Sequence, residues 1–383
     1  MKKVFIIISI FLLLPKPVFG ANVNLAENAK SAIMIETTTG EILYEKNIDE
    51  KHAPASMTKM MSLLLIMEYI EEGGMKLTDK ITVSENASSM GGSQIFLKTG
   101  EEMSVNDLLK GVAIASANDA VTALAERVAG TTDAFVNMMN EKAKKLGLNN
   151  TYFKNVHGLD ESGHYSSAFD MAMIAKELVK HQKILDYSSI YEDYLREDSL
   201  EKVWLVNTNK LVRFYEGADG LKTGYTKEAG YCLTATAKRN GMRLITVVMG
   251  ESDSAKRNSE TSKMLDYGFD QYELETLLTK NSVISKTKIS KSTKEEVSIV
   301  PLEDVTLLHK KGVKKKNTSY KLKLNDINVP VKKGDKIGTL LLTEDNNVIR
   351  KIPVSVNENI KKANIFELYI RYLKNLISGD IKL

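Results

Sequence analysis

The stretch Ser56-Met57-Thr58-Lys59-Met60-Met61-Ser62-Leu63-Leu64-Leu65-Ile66-Met67, preceded by Pro54, decides how the rest of the chain must be arranged. Its apolar side chains are too closely spaced for a helix with one face in water. The stretch therefore predicts a buried helix that begins at Ser56 and ends near Glu72.

A β-hairpin is predicted before this helix, since Ala32-Ile33-Met34-Ile35 and Glu41-Ile42-Leu43-Tyr44 flank a Thr39-Gly40 turn. Strand patterns return only much later in the chain, over Tyr231–Ala237 and Arg243–Met249. The economical interpretation is a single antiparallel sheet built from both ends of one unit, with a block of helices inserted between them.

Helical patterns dominate the segment between these strands, to about residue 185. The predicted helices cover Val105–Ala115, Asp119–Ala129 and Asp133–Leu146, and a long structured loop follows over Asn149–Tyr165. A further helix, over about Ser254–Tyr267, follows the last strand. The fold class predicted for this unit is a mixed α/β (α+β) arrangement.

The composition changes after about residue 276. Short alternating runs such as Val297–Val300, Tyr320–Leu324 and Gly338–Leu342 predict a small all-β domain over residues 276–360. Residues 361–383 have helical spacing and a net charge of +3, and we expect this amphipathic helix to lie on a membrane surface without spanning it. The alternative is that its apolar face packs on the β domain.

The first twenty residues have the pattern of an export signal. Lys2 and Lys3 precede an apolar run from Val4 to Leu14, and Val18-Phe19-Gly20 resembles a cleavage site. A transmembrane anchor is the rival interpretation, but spanning takes about 20 apolar residues and this run is shorter. The mature chain is therefore expected to act outside the cytoplasm, with residues 21–275 as its first domain.

The composition excludes several classes of protein. Of the 383 residues, 43% are hydrophobic and 27% are charged, which is typical of a globular protein and not of a disordered or collagen-like one. The net charge of +4 is too small and too dispersed for a nucleic-acid binder. Cys232 is the only cysteine and the histidines lack metal-binding spacing, so neither a disulfide nor a metal site is expected.

Ser56 and Lys59 place a hydroxyl and an amine three residues apart at the start of the buried helix, where they can form a hydrogen bond. A lysine whose pKa is lowered by burial can take the proton of such a serine and make it a nucleophile. The same spacing occurs at Ser199–Lys202 and Ser285–Lys288, but in polar, strand-like or linker segments. Only Ser56 begins a buried helix.

Two further motifs are ambiguous when each is taken alone. Ser116-Ala117-Asn118 interrupts two apolar helices, where it could line a cleft or simply cap a helix. Lys222-Thr223-Gly224 occurs once, just before a predicted strand, where it could be a polar turn with a permissive glycine.

Together and in this order, Ser56-x-x-Lys59, Ser116-x-Asn118 and Lys222-Thr223-Gly224 resemble the signature set of penicillin-recognising active-site serine enzymes. The surrounding segments look like those of the low-molecular-mass penicillin-binding proteins, the D-alanyl-D-alanine carboxypeptidases. These segments are Pro54–Lys59, His157–Asp160, Tyr165–Ala168 and Asp219–Thr226. The resemblance runs from about residue 25 to the C-terminus. It implies a β-lactamase/transpeptidase-like domain followed by the family's small β domain and amphipathic tail.

The resemblance implies a role for each matching residue of the first two motifs. Ser56 would attack the carbonyl of the penultimate D-alanine and become an acyl-enzyme, with Lys59 as its general base. Ser116 would pass a proton towards the leaving amine. Asn118 would bind the peptide backbone and hold Lys59 in place.

The third motif would recognise the end of the substrate. Lys222 and Thr223 would bind its terminal carboxylate, Gly224 completes the motif, and the charge of Lys222 would help to lower the pKa of Lys59. Arg257 matches a family arginine near that carboxylate.

The backbone N–H groups of Ser56 and Tyr225 would form the oxyanion hole. Many relatives have histidine at the position of Tyr225, so the resemblance leaves substrate preference and pH dependence open there. His157 and Cys232 need no role in this scheme.

We therefore expect an exported D,D-carboxypeptidase that needs no cofactor and removes the terminal D-alanine from peptidoglycan stem pentapeptides. β-Lactam antibiotics would acylate Ser56. One alternative is a β-lactamase, but the loop from Asn149 to Asp170 lacks the Glu-x-x-x-Asn pattern expected of its deacylation base. The other is a non-catalytic wall-binding module, which would not need an intact nucleophile and base.

Overall fold

The computed structural model describes residues 23–314 and 316–377 of the chain. The predicted export signal over residues 1–20 lies outside the described residues. The described chain forms an N-terminal α+β unit, a smaller all-β unit and a C-terminal helix, and this confirms the predicted fold class.

The N-terminal unit begins with a hairpin, continues through a block of helices and ends with three long strands and a helix. Its strands are β1 (Ser31–Glu36), β2 (Ile42–Lys46), β3 (Lys80–Thr82), β4 (Glu102–Ser104), β5 (Glu192–Leu195), β6 (Val203–Val206), β7 (Ala218–Thr226), β8 (Gly230–Arg239) and β9 (Met242–Glu251). Its helices are α1 (Lys59–Glu71), α2 (Glu85–Ser88), α3 (Val105–Ala113), α4 (Asn118–Ala129), α5 (Thr132–Lys145), α6 (Ala168–Leu178), α7 (Gln182–Ser188), α8 (Leu211–Phe214) and α9 (Ser254–Gln271).

The central sheet of this unit has the strand order β2-β1-β9-β8-β7, and every neighbouring pair is antiparallel. Ser31 of β1 lies opposite Met249 of β9, so the two ends of the unit meet at the centre of the sheet, as the sequence predicts. Strand β7 forms an edge of the sheet. This edge strand carries Lys222-Thr223-Gly224.

Helix α1 passes through the middle of the unit, and every residue from Lys59 to Met67 is buried. The α-helix begins later than predicted, because Ser56 lies in a 3₁₀ turn over Ala55–Thr58. Such turns are common at helix N-termini. Ala55 has a φ of +47°, so the chain enters this turn through a left-handed residue immediately before Ser56.

The all-β unit contains two sheets around a shared apolar core. Its strands are β10 (Tyr272–Leu278), β11 (Ser285–Thr287), β12 (Val297–Pro301), β13 (Val305–Lys310), β14 (Thr318–Leu324), β15 (Gly338–Glu344) and β16 (Asn347–Val356). Strand β10 pairs with β13, and the other sheet has the order β11-β12-β16-β15-β14. Fully buried residues such as Ile299, Leu340 and Val354 form the core.

Helix α10 (Ile365–Ile377) follows the all-β unit. Arg371 donates a hydrogen bond to the carbonyl of Ser292 (2.8 Å), which holds the helix against this unit. Among its described side chains, Leu368 is half-buried, whereas the other large apolar ones are exposed, namely Ile365, Phe366, Tyr369, Ile370, Tyr372, Leu373 and Ile377. Within the described part of the chain, no helix has the length and apolar content needed to cross a bilayer.

Candidate active site

Side chains from widely separated parts of the sequence line a single cleft of about 550 Å³. The lining residues are Ser56, Ser93, Ser116, Thr208, Lys210, Thr223, Gly224, Tyr225, Tyr231, Ser254, Ala255, Arg257 and Asn258. None of these described lining residues is acidic, whereas two are cationic. The cleft is therefore electrostatically suited to a negatively charged ligand.

Lys59 is fully buried and touches the nucleophile candidate directly. Its Nζ donates hydrogen bonds to Ser56 Oγ (2.9 Å) and to the backbone carbonyl of His157 (2.7 Å). Burial, and secondly the positive charge of Lys222, hold the pKa of Lys59 well below its usual range, while Asp119 opposes the shift. A neutral Lys59 amine has a lone pair that can accept the serine proton.

The carbonyl of His157 is placed by a tight turn, and no sequence motif assigned it a role. Gly158 has a φ of +90°, and a Cβ on it would lie 1.8 Å from the carbonyl oxygen of Ala55. The Gly158 N–H also donates to Asn155 Oδ1 (2.7 Å). The loop is thus pressed against the turn that carries Ser56, and only glycine fits the contact.

His164 ties the same loop to the nucleophile turn. Its Nδ1 accepts a hydrogen bond from the N–H of Lys154 (3.0 Å), so Nε2 carries the ring proton and donates to Thr58 Oγ1 (2.7 Å). Burial lowers the pKa of His164 to about 4, which keeps the ring neutral. The sequence offered no signal for this contact beyond the presence of one histidine in the loop.

Ser116 and Asn118 form the opposite wall. Ser116 has a φ of +65°, a strained backbone conformation for a residue other than glycine, and its side chain lines the cleft. Asn118 donates from Nδ2 to the carbonyl of Gly91 (2.6 Å), and its buried Oδ1 has no hydrogen-bond partner among the described residues. The described residues show no hydrogen bond between Asn118 and Lys59, whose Nζ donates to Ser56 and His157 instead. The Oδ1 of Asn118 is still available as an acceptor, so its role towards Lys59 stays a prediction.

Asp119 is a residue of the site that sequence reasoning missed. Its buried carboxylate accepts hydrogen bonds from the N–H groups of Ile95 (3.1 and 3.2 Å), Leu97 (3.1 Å) and Ala120 (2.8 Å). These bonds fix the loop that brings Ser93 into the cleft. An acid directly after Asn118, at the start of a helix whose next residues are mostly apolar, is the signal that could have revealed it.

Strand β7 supplies the third wall. Lys222 is buried, and burial followed by the charge of Arg257 lowers the pKa of Lys222 to about 7. The hydroxyl of Thr223 donates to Thr208 Oγ1 (2.7 Å), a cleft residue for which the sequence offered no motif. Arg257, in the first turn of α9, is also largely buried and lines the same cleft as Thr223.

Gly224 is required by a close approach of two backbones. A Cβ on Gly224 would lie 2.8 Å from the carbonyl oxygen of Pro54 and 3.1 Å from the Cβ of Ala55. The edge strand therefore runs directly against the turn that carries the nucleophile. The next residue, Tyr225, is 54% exposed, and its ring stacks on that of Tyr231 with 4.3 Å between centroids.

The structure thus brings all of the predicted site residues into or directly behind one cleft. Ser199 and Ser285, which share the serine–lysine spacing of Ser56, do not line it. Among the described residues there is no group of three or more side chains that could hold a metal ion.

Comparison with known proteins agrees with this arrangement, which is that of a penicillin-binding serine peptidase. Residues 20–253 match the family model of D-alanyl-D-alanine carboxypeptidases, and residues 272–362 match that of the C-terminal domain of penicillin-binding protein 5. The chain therefore belongs to the D-alanyl-D-alanine carboxypeptidase family and is a serine-type enzyme of that class.

Individual relatives show the extent of the similarity. The D-alanyl-D-alanine carboxypeptidase DacF of Bacillus subtilis (strain 168) is 51% identical over 357 residues, which cover 93% of this chain and 90% of the relative. Penicillin-binding protein 5 from Haemophilus influenzae is 31% identical, with a TM-score of 0.70 over 88% of this chain and 98% of that one. The ampicillin-bound penicillin-binding protein D2 from Listeria monocytogenes is 32% identical, with a TM-score of 0.58 over 64% of this chain and 100% of that one.

Proposed function

We propose that the protein is exported and removes the terminal D-alanine from peptidoglycan stem pentapeptides through an acyl-enzyme on Ser56. The observation that carries this proposal is the buried Lys59 amine, held between Ser56 Oγ and the carbonyl of His157. A pure binding module would not need a base with a lowered pKa in contact with a serine hydroxyl.

Acylation begins with the neutral form of Lys59. The 2.9 Å contact then reverses, so that the Ser56 hydroxyl donates to the Nζ lone pair while Oγ attacks the carbonyl carbon of the penultimate D-alanine. Negative charge develops on the carbonyl oxygen. The backbone N–H groups of Ser56 and Tyr225 stabilise it, which requires strand β7 to lie as close to the nucleophile turn as Gly224 allows.

Collapse of this intermediate breaks the peptide bond. Ser116 passes its hydroxyl proton to the departing amine of the terminal D-alanine and receives in exchange the proton that Lys59 took from Ser56, so that Lys59 is neutral again. The acyl group stays on Ser56 until water hydrolyses the ester. The unpartnered Oδ1 of Asn118 accepts the substrate's backbone N–H, which satisfies a buried acceptor that otherwise has none.

The terminal carboxylate is held by Lys222, Thr223 and Arg257. Because Lys222 has a pKa of about 7, it is charged at acidic pH and loses its charge as the pH rises through about 7. Substrate recognition should therefore weaken at alkaline pH. The same positive charge keeps the pKa of Lys59 low, so the two lysines divide the roles of cation and base.

The β-lactamase alternative is less well supported. Rapid hydrolysis of a penicilloyl-enzyme needs a base that activates water, and no described residue lining the cleft is a carboxylate. A penicillin is therefore expected to leave a long-lived adduct on Ser56.

Release of D-alanine from a synthetic pentapeptide tests the function directly. The wild type should release D-alanine, and Ser56→Ala should abolish both this release and labelling by a tagged penicillin. Peptide mapping should place the label on Ser56, with Ser199→Ala as the matched control that keeps full labelling. A protein that binds the peptide without releasing D-alanine would be a wall-binding module.

Helix α10 supports a proposal of membrane-surface association. Many of its described apolar side chains are exposed, with Ile365 and Ile377 each more than 80% accessible, and Arg371 and Lys374 lie between them in the sequence. Deleting residues 361–383 should abolish sedimentation with anionic vesicles and leave D-alanine release intact. If the shortened protein unfolds or loses activity, the helix is part of the folded core instead.

A further inference from the structure

The turn between strands β13 and β14 carries a high density of positive charge. The segment Lys310-Lys311-Gly312-Val313-Lys314-Lys315-Lys316 contains five lysines in seven residues. Its described residues, 310–314 and 316, are called the lysine loop below, and all of them are exposed. Val313, near the middle of the loop, has 62% of its surface accessible. The catalytic mechanism uses none of these residues.

Much of this charge is not neutralised within the molecule. Lys316 forms an ion pair with Glu344 (2.8 Å), and Lys311 donates to the backbone carbonyl of Phe269 (2.8 Å). Lys310 and Lys314 form no ion pair with any described residue. Neighbouring exposed cations repel one another and add nothing to folding stability, so a bound anion would relieve that repulsion.

The lysine loop borders a groove of about 540 Å³ between the all-β unit and the first hairpin of the N-terminal unit. Lys310, Lys314 and Lys316 line this groove, and they outnumber the two carboxylates there, Glu41 and Glu344. An extended anionic chain lying along the groove would contact several lysines at once. A small anion would gain only one or two of these contacts.

The loop lies at the end of the all-β unit opposite helix α10. Lys316 pairs with Glu344, which lies opposite Asn347 at the start of β16. Strand β16 runs for ten residues to Val356 before the chain reaches α10. Ten extended residues span about 30 Å. A membrane surface that holds α10 would thus be well beyond the roughly 8–10 Å over which its charge acts at physiological salt.

We propose that the lysine loop binds a phosphate-containing anionic polymer outside the membrane. Lysine ammonium groups are compact point charges that bind phosphate without demanding a fixed geometry, and the loop contains no arginine. Binding would then be mainly electrostatic and would depend steeply on salt, because each neutralised phosphate releases a counterion. The proposal rests on export of the chain but not on its peptidase chemistry.

Fluorescence anisotropy with labelled long-chain inorganic polyphosphate tests the proposal on the mature chain at several salt concentrations. The test variant combines Lys310→Gln, Lys314→Gln and Lys316→Gln. The matched control makes the same charge change near α10, with Lys332→Gln, Lys333→Gln and Lys336→Gln. Each phosphate contact contributes about 0.7 to the slope of log K against log salt for single-stranded polyanions. The loop variant should lose about 2 from this slope and roughly 10- to 100-fold in affinity at low salt, whereas the control should keep the wild-type slope.

Three results would overturn the proposal. Equal losses in both triple variants would show an effect of net charge alone, and wild-type binding by the loop variant would exclude the loop. Loss of binding to phosphatidylglycerol vesicles with unchanged polyphosphate binding would make the ligand a lipid surface. Penicillin acylation and D-alanine release should be unchanged in the loop variant. The double variant Lys310→Gln/Lys314→Gln, which keeps the Lys316–Glu344 pair, serves if the triple variant folds poorly.

Discussion

Replacing Arg257 with glutamine removes one positive charge from the cleft while keeping a polar side chain. Arg257 is largely buried, lines the cleft beside Thr223, and is the second cause, after burial, of the lowered pKa of Lys222. The substitution should therefore change both carboxylate recognition and the pH dependence of activity. These two effects can be measured separately.

The loss in recognition follows from the value of one charge-assisted hydrogen bond. Such a bond contributes about 1.5–3 kcal/mol, so kcat/KM should fall roughly 10- to 150-fold. The effect on pH dependence, in contrast, favours the variant at alkaline pH. In the wild type kcat/KM should fall as the pH rises through about 7, where Lys222 loses its charge. Without Arg257 the pKa of Lys222 rises, so the variant should be slower but should keep its activity to higher pH.

The assay compares two peptides ending in D-alanyl-D-alanine, one with a free C-terminal carboxylate and one amidated, between about pH 6 and 9. Amidation should be costly for the wild type and much less costly for Arg257→Gln. Lys256→Gln, which removes the same charge from the exposed neighbouring residue, should behave like the wild type. Arg257 does not belong to the recognition site if two results are found for Arg257→Gln. Amidation would lower its kcat/KM as much as in the wild type, and the fall of kcat/KM at alkaline pH would occur at the wild-type pH.

Gly224→Ala should slow penicillin acylation roughly 10- to 100-fold in a stopped-flow measurement, because its methyl group would displace strand β7 from the nucleophile turn. An unchanged rate would show that acylation does not depend on the close contact between β7 and this turn. Glu251→Gln should flatten the pH dependence of unfolding. Burial, and secondly the neighbouring Glu260, raise the pKa of Glu251 from 4.5 to about 7, so the folded wild type keeps a proton that the unfolded chain releases. The stability of the wild type should therefore fall as pH rises through this window. Urea unfolding at pH 5 and 8 measures this loss of stability. An equal change in the free energy of unfolding between the two pH values in both proteins would contradict the prediction. Acid should destabilise the wild type between pH 6.5 and about 4, because His164 gains a proton in the unfolded chain but stays neutral when buried. His164→Gln should lose less stability over that pH range than the wild type, as followed by circular dichroism.

The elements that the sequence predicts well are those whose signal is local. The dense apolar run after Ser56 predicted a buried helix, and the strand patterns over Tyr231–Ala237 and Arg243–Met249 predicted the strands that form β8 and β9. The start of α1 was misplaced because a 3₁₀ turn and an α-helix share almost the same pattern of apolar residues. The edge strand β7 has no alternation of its own, since most of its residues are buried on both faces.

The site residues also fall into those with a local sequence signal and those without one. Ser56 and Lys222 lie in short motifs, so their residue types and order are visible in the sequence. The contribution of His157 is a backbone carbonyl, which any residue type could supply, and no composition or spacing reveals it. The expected contact of Asn118 with Lys59 stays a prediction. The motif identifies the residue type, whereas the orientation of the Asn118 amide, which donates to the carbonyl of Gly91, is set by tertiary packing.

The pairing of β1 with β9 has a consequence for the order of events when the chain is made. Strand β1 cannot pair with β9 until the chain has been extended to Met249. When the N-terminus is synthesised or exported first, β1 is therefore present long before β9. During that interval one edge of the first hairpin is open to incorrect pairing. Arg257 also lines the cleft, so the cleft is complete only when about two thirds of the chain is available. The ability to react with penicillin should therefore arise in one late step. The rate at which this reactivity appears then reports how fast the fold is completed.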